Sequence, residues 1–393
     1  MGRQKVLCVF GTRPEAIKMA PVIHALERRP DEFDVRVCVT AQHREMLDQM
    51  IELFGIDPHH DLDVMTNGQT LTDITCEVLR GLEPILGEER PDWVVVQGDT
   101  TTTYAAALAA FYAQIPVAHV EAGLRSYSLA EPRPEEMNRR ATDAISDLLF
   151  APTDLAASNL FAEGIPPDRV SVTGNTVVDA FKTVAALPFD LESSPLAGLP
   201  LDRRLLLATI HRRENHGQAV RSICGALRSI ARNCEDVHLV LPVHLNPNVR
   251  QPVEEILGHL ENVSLVPPLG YPALVWLLAR CAFVMTDSGG LQEEAVGIGK
   301  HVLVLRDRTE RMEGVDVGLA RLVGSDPSEL SWWAARLLYS AESLARDDRE
   351  NPYGDGRAAE RIVDRLAAGT SAQEWEVTGD LLDRVHSASH VAA

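Results

Sequence analysis

Hydrophobic and polar positions along this chain follow a repeating cadence. Short apolar runs end in small or polar residues, and stretches of helical spacing follow them. Residues 5–10 read as a first strand, closed by Gly11 and Thr12. Pro14 suits the start of the next helix, whose apolar spacing continues to Leu26. Residues 34–40 read as a second strand and 71–86 as a helix, with strands at 93–97, 116–120, 148–150 and 170–172. Residues 187–202, rich in Pro, Ser, Gly and Asp, read as a linker. Beyond it the cadence restarts, with strands at 205–210, 237–243, 262–266, 282–285 and 302–305. The chain reads as helical from about Ser328 and as a polar tail from about Asn351. Strand–helix alternation predicts an α/β protein with doubly wound parallel sheets, and its restart predicts two of them. The expected division is an N-terminal domain over 1–187, a second domain over 188–360, and a helical segment and tail over 361–393 that packs back on the first domain.

The pattern is organised around residues 286–294, Thr-Asp-Ser-Gly-Gly-Leu-Gln-Glu-Glu. They follow a buried-strand run and open a helix. Adjacent glycines let a ligand approach the backbone, and free N–H groups at a helix start suit a diphosphate. Ser288 can add a donor, and one of Glu293 and Glu294 can reach ribose hydroxyls. A plain strand-to-helix turn explains the Ser-Gly-Gly stretch alone equally well. Other strand ends carry polar residues too: Arg13, Asp99 and Glu121 in the first half, His211, His244, Ser288 and Arg311 in the second. Open parallel sheets bind ligands at these ends. Two sheets facing each other across a cleft would gather them around one ligand. Taken singly, Asp99 reads as well as a helix N-cap, and Glu135 with Arg139 as a surface ion pair at i, i+4 spacing.

Composition narrows the classes. At 393 residues two domains are expected, and 37 basic against 57 acidic side chains give a net charge of −20, which argues against a nucleic-acid surface. Six scattered cysteines form no C-x-x-C pair and read as buried thiols, so neither a zinc site nor a disulfide framework is expected. No apolar stretch has the length of a signal peptide or membrane span, so a cytoplasmic protein with no membrane partner is expected.

Eight stretches together resemble the non-hydrolysing UDP-N-acetylglucosamine 2-epimerase family: GTRPEAIK at 11–18, GDTTTT at 98–103, EAGLR at 121–125, PEEMNR at 134–139, GNT at 174–176, HRREN at 211–215, DSGGLQEE at 287–294 and TER at 309–311. They run in the family's order over nearly the whole chain. The resemblance implies two Rossmann-like domains in a glycosyltransferase-B-like arrangement, a homodimer, and interconversion of UDP-GlcNAc and UDP-ManNAc with no added cofactor and no metal. It implies Asp99, Glu121 and Glu135 as acid/base carboxylates. Arg13, His211, Ser288, Gly289 and Gly290 would hold the diphosphate, Glu294 the ribose, with Arg311 near the nucleotide and Lys18 and Arg139 near the sugar. Gln42, Gln69, Arg212 and His244 match positions associated with a second UDP-GlcNAc acting as activator.

The chain departs from the family at Ser126-Tyr127-Ser128, where Thr-Gly-Asp is usual, and at Leu274, where an aromatic often covers the uracil. His301, Arg308 and Met312 also stand where Pro, Thr and Pro are common. A hydrolysing epimerase releasing ManNAc and UDP, a glycosyltransferase of the same fold and a nucleotide-sugar sensor are the competing readings. The product would serve surface polysaccharide or an antibiotic sugar.

Overall fold

The computed structural model describes residues 2–41, 44–66, 68–339 and 351–369. Seven parallel strands form the first sheet: β1 (Gln4–Phe10), β2 (Phe33–Val39), β3 (His60–Asp61), β4 (Trp93–Gln97), β5 (Val117–Val120), β6 (Leu148–Ala151) and β7 (Val170–Val172). Six form the second: β8 (Arg204–Thr209), β9 (Val237–Pro242), β10 (Val263–Val266), β11 (Phe283–Thr286), β12 (His301–Val304) and β13 (Ala320–Leu322). The spatial orders are β3-β2-β1-β4-β5-β6-β7 and β10-β9-β8-β11-β12-β13. Each order reverses beside its first strand, between β1 and β4 and between β8 and β11. That reversal opens a crevice at the strands' C-terminal ends.

The first domain carries α1 (Arg13–Glu27), α2 (Arg44–Phe54), α3 (Leu71–Glu89), α4 (Thr101–Tyr112), α5 (Glu135–Ile145), α6 (Asp154–Ala162) and α7 (Thr176–Ala185). The second carries α8 (Gln218–Asn233), α9 (Pro247–Leu257), α10 (Tyr271–Arg280), α11 (Gly289–Val296), α12 (Met312–Asp316) and α13 (Pro327–Tyr339); α14 (Ala358–Ala368) follows. Helices cover both faces of each sheet, so central strands read as unbroken apolar runs. Every residue of β4, Trp-Val-Val-Val-Gln, is buried. In α8 the apolar residues fall on one face, and Val220, Ile223, Leu227 and Ile230 are buried.

The domains share an apolar core, in which Phe10 and Ile23 of the first cluster with Tyr271 and Leu277 of the second. Helix α7 packs against α10 and α11 across the boundary. The chain also crosses back. Helix α14 lies on α1 and α7 and buries Ala358, Ala359, Ile362, Val363 and Leu366. The Asp179 carboxylate of α7 accepts from the backbone N–H groups of Ala358 and Ala359, capping that helix. This corrects the polar tail expected from Asn351: Tyr353 is buried, and its carbonyl accepts from Asn175 N–H. Residue 360, the expected boundary, lies inside α14. Arg and Glu on the outer face of α14 dilute a helical apolar pattern that composition alone reads as tail. The final part of the expected tail, 370–393, lies outside the described residues.

All six cysteines are unpaired and five are buried, and burial pushes the Cys38, Cys224 and Cys281 thiols up to about 12. No helix among the described residues is long and apolar enough to cross a membrane.

Candidate active site

A cleft of about 600 Å³ opens between the C-terminal edges of the two sheets. Its first-domain wall carries Arg13, Lys18, Asp99, Glu121, Glu135 and Arg139. Its second-domain wall carries His211, Arg212, His244, Ser288, Gly289, Gly290, Glu294 and Arg311. Residues as distant in sequence as Arg13 and Arg311 thus meet across the cleft, carried by the turns after strands and by the helices that follow them.

On the first wall, Thr12 stands at the N-cap position of α1, and Glu15 reaches back to its backbone N–H. Glu15 is buried. One of its oxygens accepts from Gly11 and Thr12 N–H at 3.0 and 2.7 Å. The other accepts from the Thr100 and Thr103 hydroxyls at 2.6 and 2.9 Å. This one carboxylate ties the turn bearing Arg13 to the turn bearing Asp99. Burial pushes its pKa up, and four donors oppose that rise. Thr100, not Asp99, caps α4, its side chain accepting from Thr103 N–H. Asp99 is therefore free to pair with Arg139, whose Nε and Nη2 lie 3.1 and 2.5 Å from Oδ2. Arg139 is buried and also meets Glu136 at 3.1 Å, so it pairs with neither Glu135 nor the surface. Glu135 Oε2 is buried beside the cleft with no hydrogen-bond partner among the described residues.

Glu121 follows β5 with φ +69°, a left-handed conformation that costs a glutamate about 1–2 kcal/mol. The backbone holds it there: Glu121 and Ala122 N–H groups both donate to the Phe150 carbonyl. Its Oε2 accepts from Lys18 Nζ and from the Gln97 amide. Burial raises its pKa, Lys18 opposes the rise, and the nearby Glu293 adds to it. His119 lies beneath, bonded to Asp143 and to the Gly98 carbonyl, both at 2.7 Å, and so supports the turn that carries Asp99.

On the second wall Ser288 caps α11, accepting from Leu291 N–H. A side chain at Gly289 would place its Cβ 2.9 Å from the Arg311 guanidinium carbon, so glycine leaves room for that cation. Arg13 faces this helix start and forms no ion pair among the described residues. Asp287 is fully buried and accepts from His211 and Arg212 N–H, from Asn215 Nδ2 and from His211 Nδ1 at 2.6 Å. Burial pushes its carboxyl up, but these bonds hold it below the usual aspartate range. An imidazole that donates through Nδ1 presents Nε2 as its other nitrogen. Burial pushes Glu294 up to about 7, against the pull of Arg13 and Lys18.

The walls are joined directly. Lys18 Nζ lies 2.5 Å from Glu121 and 2.9 Å from Glu293 of the second domain. Glu293 in turn accepts from Arg311 Nε at 2.9 Å.

Of the residues expected at an activator site, Arg212 and His244 line the cleft. Gln69 does not. Its amide is engaged by its own loop, donating to the Val64 carbonyl and accepting from Thr66 N–H. Gln42 lies outside the described residues. The sequence alone gives no role to Glu15, Glu136 or Asp287, and offers Glu293 only as an alternative to Glu294 at the ribose. Each stands within two positions of a residue that was assigned, inside one of the motif stretches, and that proximity was the signal. Glu136 receives the Ser126 and Tyr127 N–H groups and so shapes the divergent loop. Leu274 lines the cleft as an aliphatic wall.

A family model described as UDP-N-acetylglucosamine 2-epimerase matches residues 24–367. The UDP-N-acetylglucosamine 2-epimerase of Escherichia coli K12 is 52% identical over 369 residues, covering 92% of this chain and 98% of that protein. The crystal structure of UDP-GlcNAc 2-epimerase from Neisseria meningitidis bound to UDP-GlcNAc is similar at 45% identity and TM-score 0.85, covering 93% of this chain and 100% of that one. A glycotransferase of kitacinnamycin shares the fold alone, at 13% identity and TM-score 0.57, over 94% of this chain and 96% of that one. The two facing sheets accordingly have the glycosyltransferase-B-like arrangement, and the chain belongs to the UDP-N-acetylglucosamine 2-epimerase family.

Proposed function

We propose that the chain interconverts UDP-GlcNAc and UDP-ManNAc at C2 and keeps UDP on the product. The observation that carries this reading is the cleft itself, with three carboxylates on one wall and a Ser-Gly-Gly helix start facing Arg13, which has no ion pair among the described residues. A binding site for a nucleotide sugar needs the second set and not the first. The structure of the Neisseria relative bound to UDP-GlcNAc supports the same substrate here.

The chemistry follows from the weak acidity of the C2 proton. A positioned base removes it, the C2–H electron pair forms the C1–C2 double bond, and the C1–O bond breaks toward UDP. Arg13, His211, the Ser288 hydroxyl and the N–H groups at Gly289 and Gly290 hold the departing diphosphate charge. The intermediate is 2-acetamidoglucal beside UDP. A proton delivered to the other face of C2 and return of the UDP oxygen to C1 give the epimer. Two faces need two acid/base groups, and Asp99, Glu121 and Glu135 supply them. Arg139 and Lys18 hold two of those carboxylates in place. Glu294 takes the ribose hydroxyls, with Arg311 beside the nucleotide. Closure of the cleft keeps water from the glycal, which separates this reading from a hydrolysing epimerase.

The reading includes a homodimer, as the family resemblance implies, and activation by a second UDP-GlcNAc, for which Arg212 and His244 at the cleft are the support. Anion-exchange separation of the products of UDP-GlcNAc tests it. UDP-ManNAc is expected, and ManNAc with free UDP would establish the hydrolysing reaction instead.

A further inference from the structure

Glu293 is buried, at 1% exposure, and it does not line the cleft. It nevertheless stands two bonds from the reacting carboxylate. Its Oε2 lies 2.9 Å from Lys18 Nζ, and the same ammonium reaches Glu121 at 2.5 Å. Its Oε1 accepts from Arg311 Nε, and Asn175 at the start of α7 adds a long contact to Oε2. Glu121 belongs to the first domain and Glu293 to the second, so one lysine is shared by carboxylates from opposite walls. The sharing exists only while the second domain rests against the first.

We propose that Glu293 is a positioning residue for the epimerisation: through Lys18 it sets how firmly Glu121 is held as a carboxylate, and hence how well Glu121 exchanges a proton. This rests on the function proposed above. A carboxylate with a buried ammonium to itself is a poor base, because its charged form is too well stabilised. Glu293 draws part of that ammonium away and adds a like charge nearby. Both effects favour proton uptake by Glu121, in the direction of its raised pKa. The other charged groups around the pair are Arg311, Glu310, Glu294 and Glu313, with the Tyr353 hydroxyl behind them. Arg311 bonds to both Glu293 and Glu310, and its charge acts on Glu121 in the direction opposite to that of Glu293.

The test compares the wild-type enzyme with Glu293→Gln and Glu293→Asp, following UDP-GlcNAc turnover from pH 5 to 9. In Glu293→Gln, Lys18 serves Glu121 alone, so the acid limb of kcat moves to lower pH and kcat falls roughly tenfold, with KM nearly unchanged. Glu293→Asp keeps the charge with one methylene fewer and falls between the two. A merely structural role would lower kcat without moving the pH profile. An unshifted acid limb in Glu293→Gln, or in Glu293→Asp if the first does not fold, overturns the inference while leaving the epimerase reading intact. A wild-type enzyme that turns over no UDP-GlcNAc overturns both.

Discussion

Arg139 grips Asp99 through two nitrogens, Nε at 3.1 Å and Nη2 at 2.5 Å, both on the same carboxylate oxygen. A flat guanidinium buried against Glu136 presents those donors in one fixed orientation. Asp99→Asn keeps the shape and loses the acid/base group. Turnover should fall roughly 10²–10⁴-fold with the melting temperature little changed. Arg139→Lys keeps the charge but offers a single point donor, so kcat should fall more than KM rises. Steady-state kinetics on both variants provide the check, and near-wild-type turnover in Asp99→Asn would remove that residue from the chemistry.

At Gly289 the backbone runs close against a cation. A methyl group there meets the Arg311 guanidinium at 2.9 Å and crowds the helix start meant for the diphosphate. Gly289→Ala should therefore weaken UDP binding roughly tenfold or more, at a cost in stability of about 1–3 kcal/mol. Titration calorimetry with UDP measures the first effect and urea unfolding the second.

Glu15 is expected to matter for stability and not for chemistry. Its two oxygens receive four donors. Glu15→Gln puts an amide NH2 where two of those donors point, leaving buried donors facing one another. The expected loss is about 2–3 kcal/mol, visible as a lower urea midpoint. A midpoint unchanged from wild type would contradict the tie between the two turns.

Glu294 gives a pH signature without ligand. Its pKa of about 7 in the fold lies above the usual carboxylate value, so the folded state binds the proton more tightly than the unfolded chain. Its contribution is present below the unfolded value near 4.5 and is lost as pH rises to about 7. Melting curves of Glu294→Gln should lack that part of the decline, so the variant gains on wild type across this window. Parallel curves would contradict the assigned burial of an ionising carboxylate.

Much of this arrangement was legible from residues alone. Strand ends carrying Arg13, Asp99, Glu121, His211 and Ser288 were readable because an apolar run followed by a polar turn is a local signal. Two short edge strands, His60–Asp61 and Ala320–Leu322, escaped because two or three residues show no periodicity. The choice of partners was not local either. Asp99 read equally as a cap until Thr100 was seen to hold that place, and Glu135 lost Arg139 to Asp99 and Glu136. Lys18 and Glu293 are separated by 275 positions, and only the packing of one domain on the other brings them together. The return of a C-terminal helix to the first domain was expected, but the start of α14 at Ala358 was not. Its apolar face is narrow, and its cap, Asp179, comes from another helix.

The central claim is proton exchange at C2 with UDP retained on the product. Proton NMR of UDP-GlcNAc incubated with the enzyme in heavy water tests it most directly. The account predicts UDP-ManNAc carrying deuterium at C2, with UDP still attached at C1. Free ManNAc beside UDP, or UDP-ManNAc that keeps its original C2 proton, would contradict it.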